Sequence, residues 1–135
     1  MSPETPSTTG VDHVGLTVLD LSASERFFTQ CLGWRRFGGS AAYPSAYVTD
    51  GAARLTLWQA RNEGGVFDRH RNPGLHHLAL RLPTREALHE LAERVAAWPG
   101  VVMEFTPEFS GAGPKVHAMF LEPGGCRIEL SWDPR

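Results

Sequence analysis

The chain has 135 residues, 41% of them hydrophobic and 21% charged, which is the size and balance of one globular domain with a buried core. Thirteen basic against fifteen acidic residues give a formal charge of −2 without any run of like charge, so neither a nucleic-acid partner nor a polybasic membrane anchor is expected. No apolar run approaches the ~20 residues of a membrane-spanning helix, and the opening residues lack a signal-peptide pattern. The expected location is the cytoplasm and the expected partner a small molecule.

Cys31 and Cys126 are the only two cysteines and form no Cys-x-x-Cys pair, so a disulfide framework or thiolate zinc site is not expected. Both read as buried, reduced thiols. Residues 1–10 mix Pro, Ser, Thr and Gly without periodicity and read as a loose lead-in. The rest, 11–135, reads as one domain, with a first module at 11–59, a linker at 60–74 and a second module at 75–132.

Residues 11–18 alternate as a strand, with Val14, Leu16 and Val18 on an apolar face and His13, Gly15 and Thr17 on the other. Ser22 to Glu25 fit a capping box that opens a helix. Phe27, Phe28, Cys31 and Leu32 form its apolar side and Gly33 its stop. Residues 34–37, 43–49 and 54–59 read as three strands separated by glycine-bearing turns. Residues 60–74 are polar and rich in glycine. Within them Arg69, His70 and Arg71 could meet an anionic substrate or form an ordinary solvated loop.

Residues 75–82 repeat the first design. Leu75, His77, Ala79 and Arg81 share one face, and His76, Leu78, Leu80 and Leu82 the other. A one-residue slip would exchange His76 with His77. Thr84 caps a second helix with a Leu88, Leu91, Val95 and Trp98 stripe, ended by Pro99 and Gly100. His89 lies on its outer side. Strands at 101–106, 116–121 and 126–132 complete a second β-α-β-β-β unit, so the chain reads as a duplication. Residues 51–57 and 124–130 match in pattern, which sets Thr56 opposite Glu129 in the repeat, as His13 stands opposite His77.

A pseudo-twofold arrangement is expected to bring His13, Thr56, His77 and Glu129 to one centre. Two imidazoles and a carboxylate on one side of a cation leave coordination positions open for substrate, water or dioxygen, as a catalytic metal requires. Strand alternation puts Glu129 with Arg127 and Ser131, away from the apolar side. A small residue follows each expected ligand two positions on (Gly15, Ala79 and Ser131), which keeps room beside the ion. His117 shares its face with Met119 and reads either as a general base or as a histidine with no part in catalysis. Arg54, Thr56, Trp58, Met119 and Arg127 are the expected substrate-binding residues. Residues 109–115 could serve as a movable cover or an ordinary hairpin connection.

Through residues 12–21, 74–80 and 120–130 the chain resembles the vicinal oxygen chelate superfamily, which contains glyoxalase I, fosfomycin resistance transferases, extradiol dioxygenases and bleomycin-binding proteins. The resemblance covers about residues 11–132. It implies an α+β fold of two tandem βαβββ modules whose curled mixed sheets surround a cavity, with the helices outside. It also implies one divalent metal ion, Fe, Mn, Ni, Co or Zn, on His13, His77 and Glu129, and a homodimer is the expected assembly. Glyoxalase I members usually add a carboxylate where Thr56 stands. Extradiol dioxygenases usually carry a tyrosine where Met119 stands, and bleomycin-binding members generally lack the three ligands. The leading expectation is a glyoxalase-like, metal-dependent isomerase or lyase acting on a small oxygen-chelating substrate, with His117 and Glu129 as catalytic groups. A ring-cleaving Fe(II) dioxygenase and a non-catalytic drug-binding resistance protein are the alternatives.

Overall fold

A computed structural model describes residues 4–61 and 65–135. Residues 1–3 of the expected lead-in and 62–64 of the expected linker lie outside the described residues. The elements run β1 (Val14–Val18), α1 (Leu21–Arg26) continuing into a π-helical turn (Phe27–Cys31), β2 (Arg35–Ser40), β3 (Ser45–Thr49) and β4 (Arg54–Gln59). The second set is β5 (Leu78–Arg81), α2 (Arg85–Ala96), β6 (Val102–Phe109), β7 (Val116–Leu121) and β8 (Arg127–Trp132).

The elements form two four-stranded mixed sheets, ordered β1-β4-β3-β2 and β5-β8-β7-β6. In each, the first strand pairs in parallel with the last strand of its module, Gly15 beside Thr56 and Ala79 beside Glu129. The remaining pairs are antiparallel. The chain is therefore an α+β fold of two matching modules, and its sheets do not close into a barrel.

The apolar faces follow the expected alternation. Leu16, Val18, Leu55 and Leu57 of the first sheet and Ala118, Phe120, Ile128 and Leu130 of the second are buried with Phe27, Phe28, Leu88 and Val95 from the helical segments. All belong to one cluster, because the modules meet through these faces: Phe27 packs edge-on against Phe120 at 5.6 Å between ring centroids. Burying each such side chain contributes about 1.5–3 kcal/mol. Polar contacts reinforce the joint. Leu19 N donates to Gly124 O at 2.9 Å, Arg94 Nε donates to Cys31 O at 2.9 Å, and the Ser24 hydroxyl donates to the buried Glu122 carboxylate. The opposite sheet faces, which carry Thr56 and Glu129, point away from the helices.

Several local expectations change. The first helix is capped by Asp20, in extended backbone (φ −139°), whose carboxylate accepts from Ala23 N at 3.0 Å. Ser22 therefore sits inside the first turn, and Glu25, instead of closing a capping box, accepts from Arg36 Nη1 at 2.8 Å. Thr84 caps α2 as expected, accepting from Ala87 N at 3.0 Å. Both expected ligand histidines stand one residue before their strands, since β1 opens at Val14 and β5 at Leu78. Cys31 is buried, but Cys126 is only partly so; burial and the neighbouring Glu122 charge push its thiol up to about 12.

Candidate metal centre in two halves

The second sheet builds one half of the site around Glu129. Its position in β8, between β5 and β7, leaves the side chain only 10% exposed. Glu129 pairs in register with Met119, and His117 with Ser131, so the three expected residues share the face turned from the core. His77 Nε2 lies 4.0 Å and His117 Nδ1 3.4 Å from Glu129 Oε2. Lys115 Nζ stands 3.8 Å from Oε1. The lysine is delivered by the hairpin at 109–115, which Ser110 N closes by donating to Lys115 O at 2.9 Å; that segment is a hairpin connection. His117 also faces Glu108, 4.0 Å from Nε2, and packs against Phe105 at 4.8 Å between ring centroids.

A further group, not foreseen from the sequence, borders this half. Glu104 accepts from Arg127 Nε at 3.0 Å and from Nη2 at 2.8 Å. Met103 pairs with Phe120 and Phe105 with Met119, so Glu104 is the extra residue of a β-bulge. Met103 packs on the core, so alternation already turns Glu104 to the outer side with Arg127, and the bulge brings Phe105 to that side as well. Arg127 was expected to grip substrate; instead Glu104 holds two of its donor nitrogens, and the third, Nη1, lies 3.3 Å from His76 Nδ1. His76 Nδ1 in turn lies 2.8 Å from His77 Nδ1. Because His76 precedes β5, strand alternation does not turn it to the apolar side. Its desolvation, and next the Arg127 charge, lower its pKa, whereas hydrogen bonding from Arg127 holds Glu104 below the usual carboxylate range. Arg69 reaches Glu104 at 4.0 Å, and the His70 ring lies 6.3 Å from the His76 ring. The linker residues thus join this polar group.

The first sheet builds the other half. His13 Nδ1 lies 2.8 Å from Asp12 Oδ2. This contact is the main cause that holds Asp12 below its ordinary value, with Arg54 adding a smaller one. Thr56 is buried and accepts from Trp58 Nε1 at 2.9 Å, which pins the indole. Gly15 gives that pair room, since a Cβ there would meet Thr56 Oγ1 at 3.3 Å and Trp58 Nε1 at 3.5 Å. Tyr43 and Tyr47 pack on Trp58 with ring centroids 5.1 and 5.9 Å away, which gives this face an aromatic wall.

The expected centre is thus divided. One chain brings His77, His117 and Glu129 together and leaves His13, Arg54, Thr56 and Trp58 on the other sheet. No three His, Cys, Asp or Glu side chains are grouped closely enough to hold an ion among the described residues.

Paired βαβββ modules, each placing a histidine just before its first strand and a polar side chain on the facing last strand, define the vicinal oxygen chelate class. The sequence agrees: residues 10–130 match the Glyoxalase/Bleomycin resistance protein/Dioxygenase superfamily, and the chain belongs to it. Among solved structures it is similar to a glyoxylase/bleomycin resistance protein/dioxygenase domain from Frankia sp. EAN1pec, with 28% identity, a TM-score of 0.79, and coverage of 96% of this chain and 95% of that one. Lactoylglutathione lyase from Agrobacterium tumefaciens shares the fold at 16% identity and TM-score 0.71, covering 94% and 96% of the two chains. The fosfomycin resistance protein FosX from Mesorhizobium loti does so at 18% identity and TM-score 0.68, covering 93% and 92%. No curated protein matches. No helix among the described residues is long and apolar enough to cross a membrane.

Proposed function

We propose that the protein is a glyoxalase-like, divalent-metal-dependent isomerase or lyase for a small substrate that chelates through adjacent oxygens. The metal site lies between two copies of the chain, His13 coming from one and His77 and Glu129 from the other. The observation that carries this reading is the approach of His77 Nε2 to Glu129 Oε2, at 4.0 Å. Two ligand atoms, each about 2.0–2.2 Å from a zinc-like ion, lie at most about 4.2 Å apart, so the pair can share one cation. A neutral imidazole and a carboxylate are also the donor types such an ion takes. Among the described residues no three such side chains are grouped closely enough to hold an ion, and with His117 assigned to proton transfer a second copy is the natural source of His13.

When bound, the ion supplies Lewis-acid stabilisation of negative charge developing on a substrate oxygen. His117, beside Glu129 on the same face, is the general base that takes a proton from substrate carbon and returns it. Glu129 fixes the His117 ring through Nδ1. Lys115 adds positive charge at the same carboxylate. Thr56 is a weak ligand and its hydroxyl already accepts from Trp58, so it would not supply the donor that glyoxalase I members often have at its position, and that place would be left to water. Trp58 bounds the substrate's apolar part, and Arg54 meets its charge. Met119, only 4% exposed, stands beside Glu129, a thioether at the position where extradiol enzymes carry a phenol.

Metal analysis of protein purified without chelator, followed by hemithioacetal turnover with Ni, Mn, Co and Zn, tests this reading. The expected result is about one ion per chain, lost in Glu129→Ala, and turnover without oxygen uptake. Iron-dependent oxygen uptake on catechols would replace it with ring cleavage. Drug binding that survives both chelation and His13→Ala would replace it with sequestration.

A further inference from the structure

We propose that the Glu104, Arg127 and His76 chain is a positioning device that fixes the proton of His77 on Nδ1 and so leaves the Nε2 lone pair facing Glu129. The inference rests on the metal reading above, but its logic is one of donors and acceptors. Arginine only donates. Glu104 takes the Nε and Nη2 hydrogens of Arg127, which leaves Nη1 as the arm directed at His76 Nδ1, 3.3 Å away. Beside that guanidinium a hydrogen on His76 Nδ1 is disfavoured, so the atom keeps its single lone pair. The same atom lies 2.8 Å from His77 Nδ1, and a contact between two ring nitrogens at that distance needs one hydrogen. That lone pair takes the shorter contact, so His77 Nδ1 carries the hydrogen and donates it, while Arg127 acts on His76 Nδ1 through its charge. In a neutral imidazole the other nitrogen then holds the lone pair, and this is Nε2, the atom 4.0 Å from Glu129 Oε2.

The arrangement gives His77 an orienting partner of the kind that fixes tautomer and ring angle in metal-binding histidines, supplied here by an imidazole and not by a carboxylate. Arg127 thus acts through His76 and His77 and is a positioning residue. Its guanidinium, 13% exposed, is committed to that task.

The test is the ring-nitrogen spectrum of histidine-labelled, chelator-treated protein, which needs no bound metal. Wild type is expected to show His77 protonated on Nδ1. His76→Leu removes the acceptor and is expected to return His77 to the Nε2-protonated form, whereas His76→Asn places an amide oxygen where Nδ1 stood and preserves the wild-type form. Zinc affinity, read by chelator competition, is expected to fall about 10–100-fold in His76→Leu and to be rescued in His76→Asn. A wild-type His77 protonated on Nε2, or a His76→Leu spectrum and affinity equal to wild type, overturns the proposal. If wild type takes up no zinc yet keeps the proton on Nδ1, the metal reading falls and the positioning stands.

Discussion

Glu122 and Glu129 are both buried carboxylates, 1% and 7% exposed, with different surroundings. Glu129 meets two imidazoles and an ammonium, groups that can trade places with a cation. Glu122 meets the Ser24 hydroxyl and the backbone of its own turn, and burial outweighs these bonds and raises its pKa. The raised value means that the folded state holds the proton more tightly than the unfolded chain. The Glu122 contribution is therefore complete below the ordinary glutamate value of about 4.3 and is lost as pH rises through the folded value. Urea unfolding at stepped pH is expected to show wild type losing stability relative to Glu122→Gln across that rise. Curves that stay parallel from acid to neutral pH would refute the assignment. Sequence spacing made Glu129 legible, because it repeats the Thr56 position. It did not reveal Glu122, whose partner Ser24 lies in the other module.

At the scale of elements, periodicity identified each strand and helix, since one face of each is apolar and the modules repeat. Local signals misled where two residues compete for one task. Asp20 and Ser22 are both good caps, and the winner is the one whose backbone is extended and whose oxygen reaches Ala23 N. Asp20→Ala is expected to lower unfolding free energy by about 1 kcal/mol, with Ser22→Ala costing far less; equal losses in chemical denaturation would favour Ser22 as the cap. The bulge in β6 was invisible for another reason. Nothing in Val102–Phe109 marks an extra residue by type, and only pairing with β7 creates it. Alternation sets Glu104 opposite Met103, on the face of Arg127, so their partnership becomes legible only once β6 and β8 are known to flank β7 in one sheet. His13 and His77 read as strand residues, yet each stands one residue before its strand, and His76, read onto the apolar face, is not held there because alternation has no force before the strand begins.

At the scale of the molecule, duplication explains why one chain carries two half-sites on opposite sides of a shared core. The helices and aliphatic faces of both modules are joined through Phe27, Phe120, Ser24 and Glu122, which leaves the polar faces turned away from that joint. In the function proposed above, His13 from one copy completes the set begun by His77 and Glu129 of another. The most direct measurement is the zinc content of dimers formed by co-refolding equal amounts of His13→Ala and Glu129→Ala chains, each of which is expected to bind no zinc alone. A shared site puts both lesions in one of the two sites of each mixed dimer and leaves the other intact, so the mixture is expected to recover about a quarter of wild-type zinc. Mixed dimers that remain empty while wild type loads fully would contradict the claim.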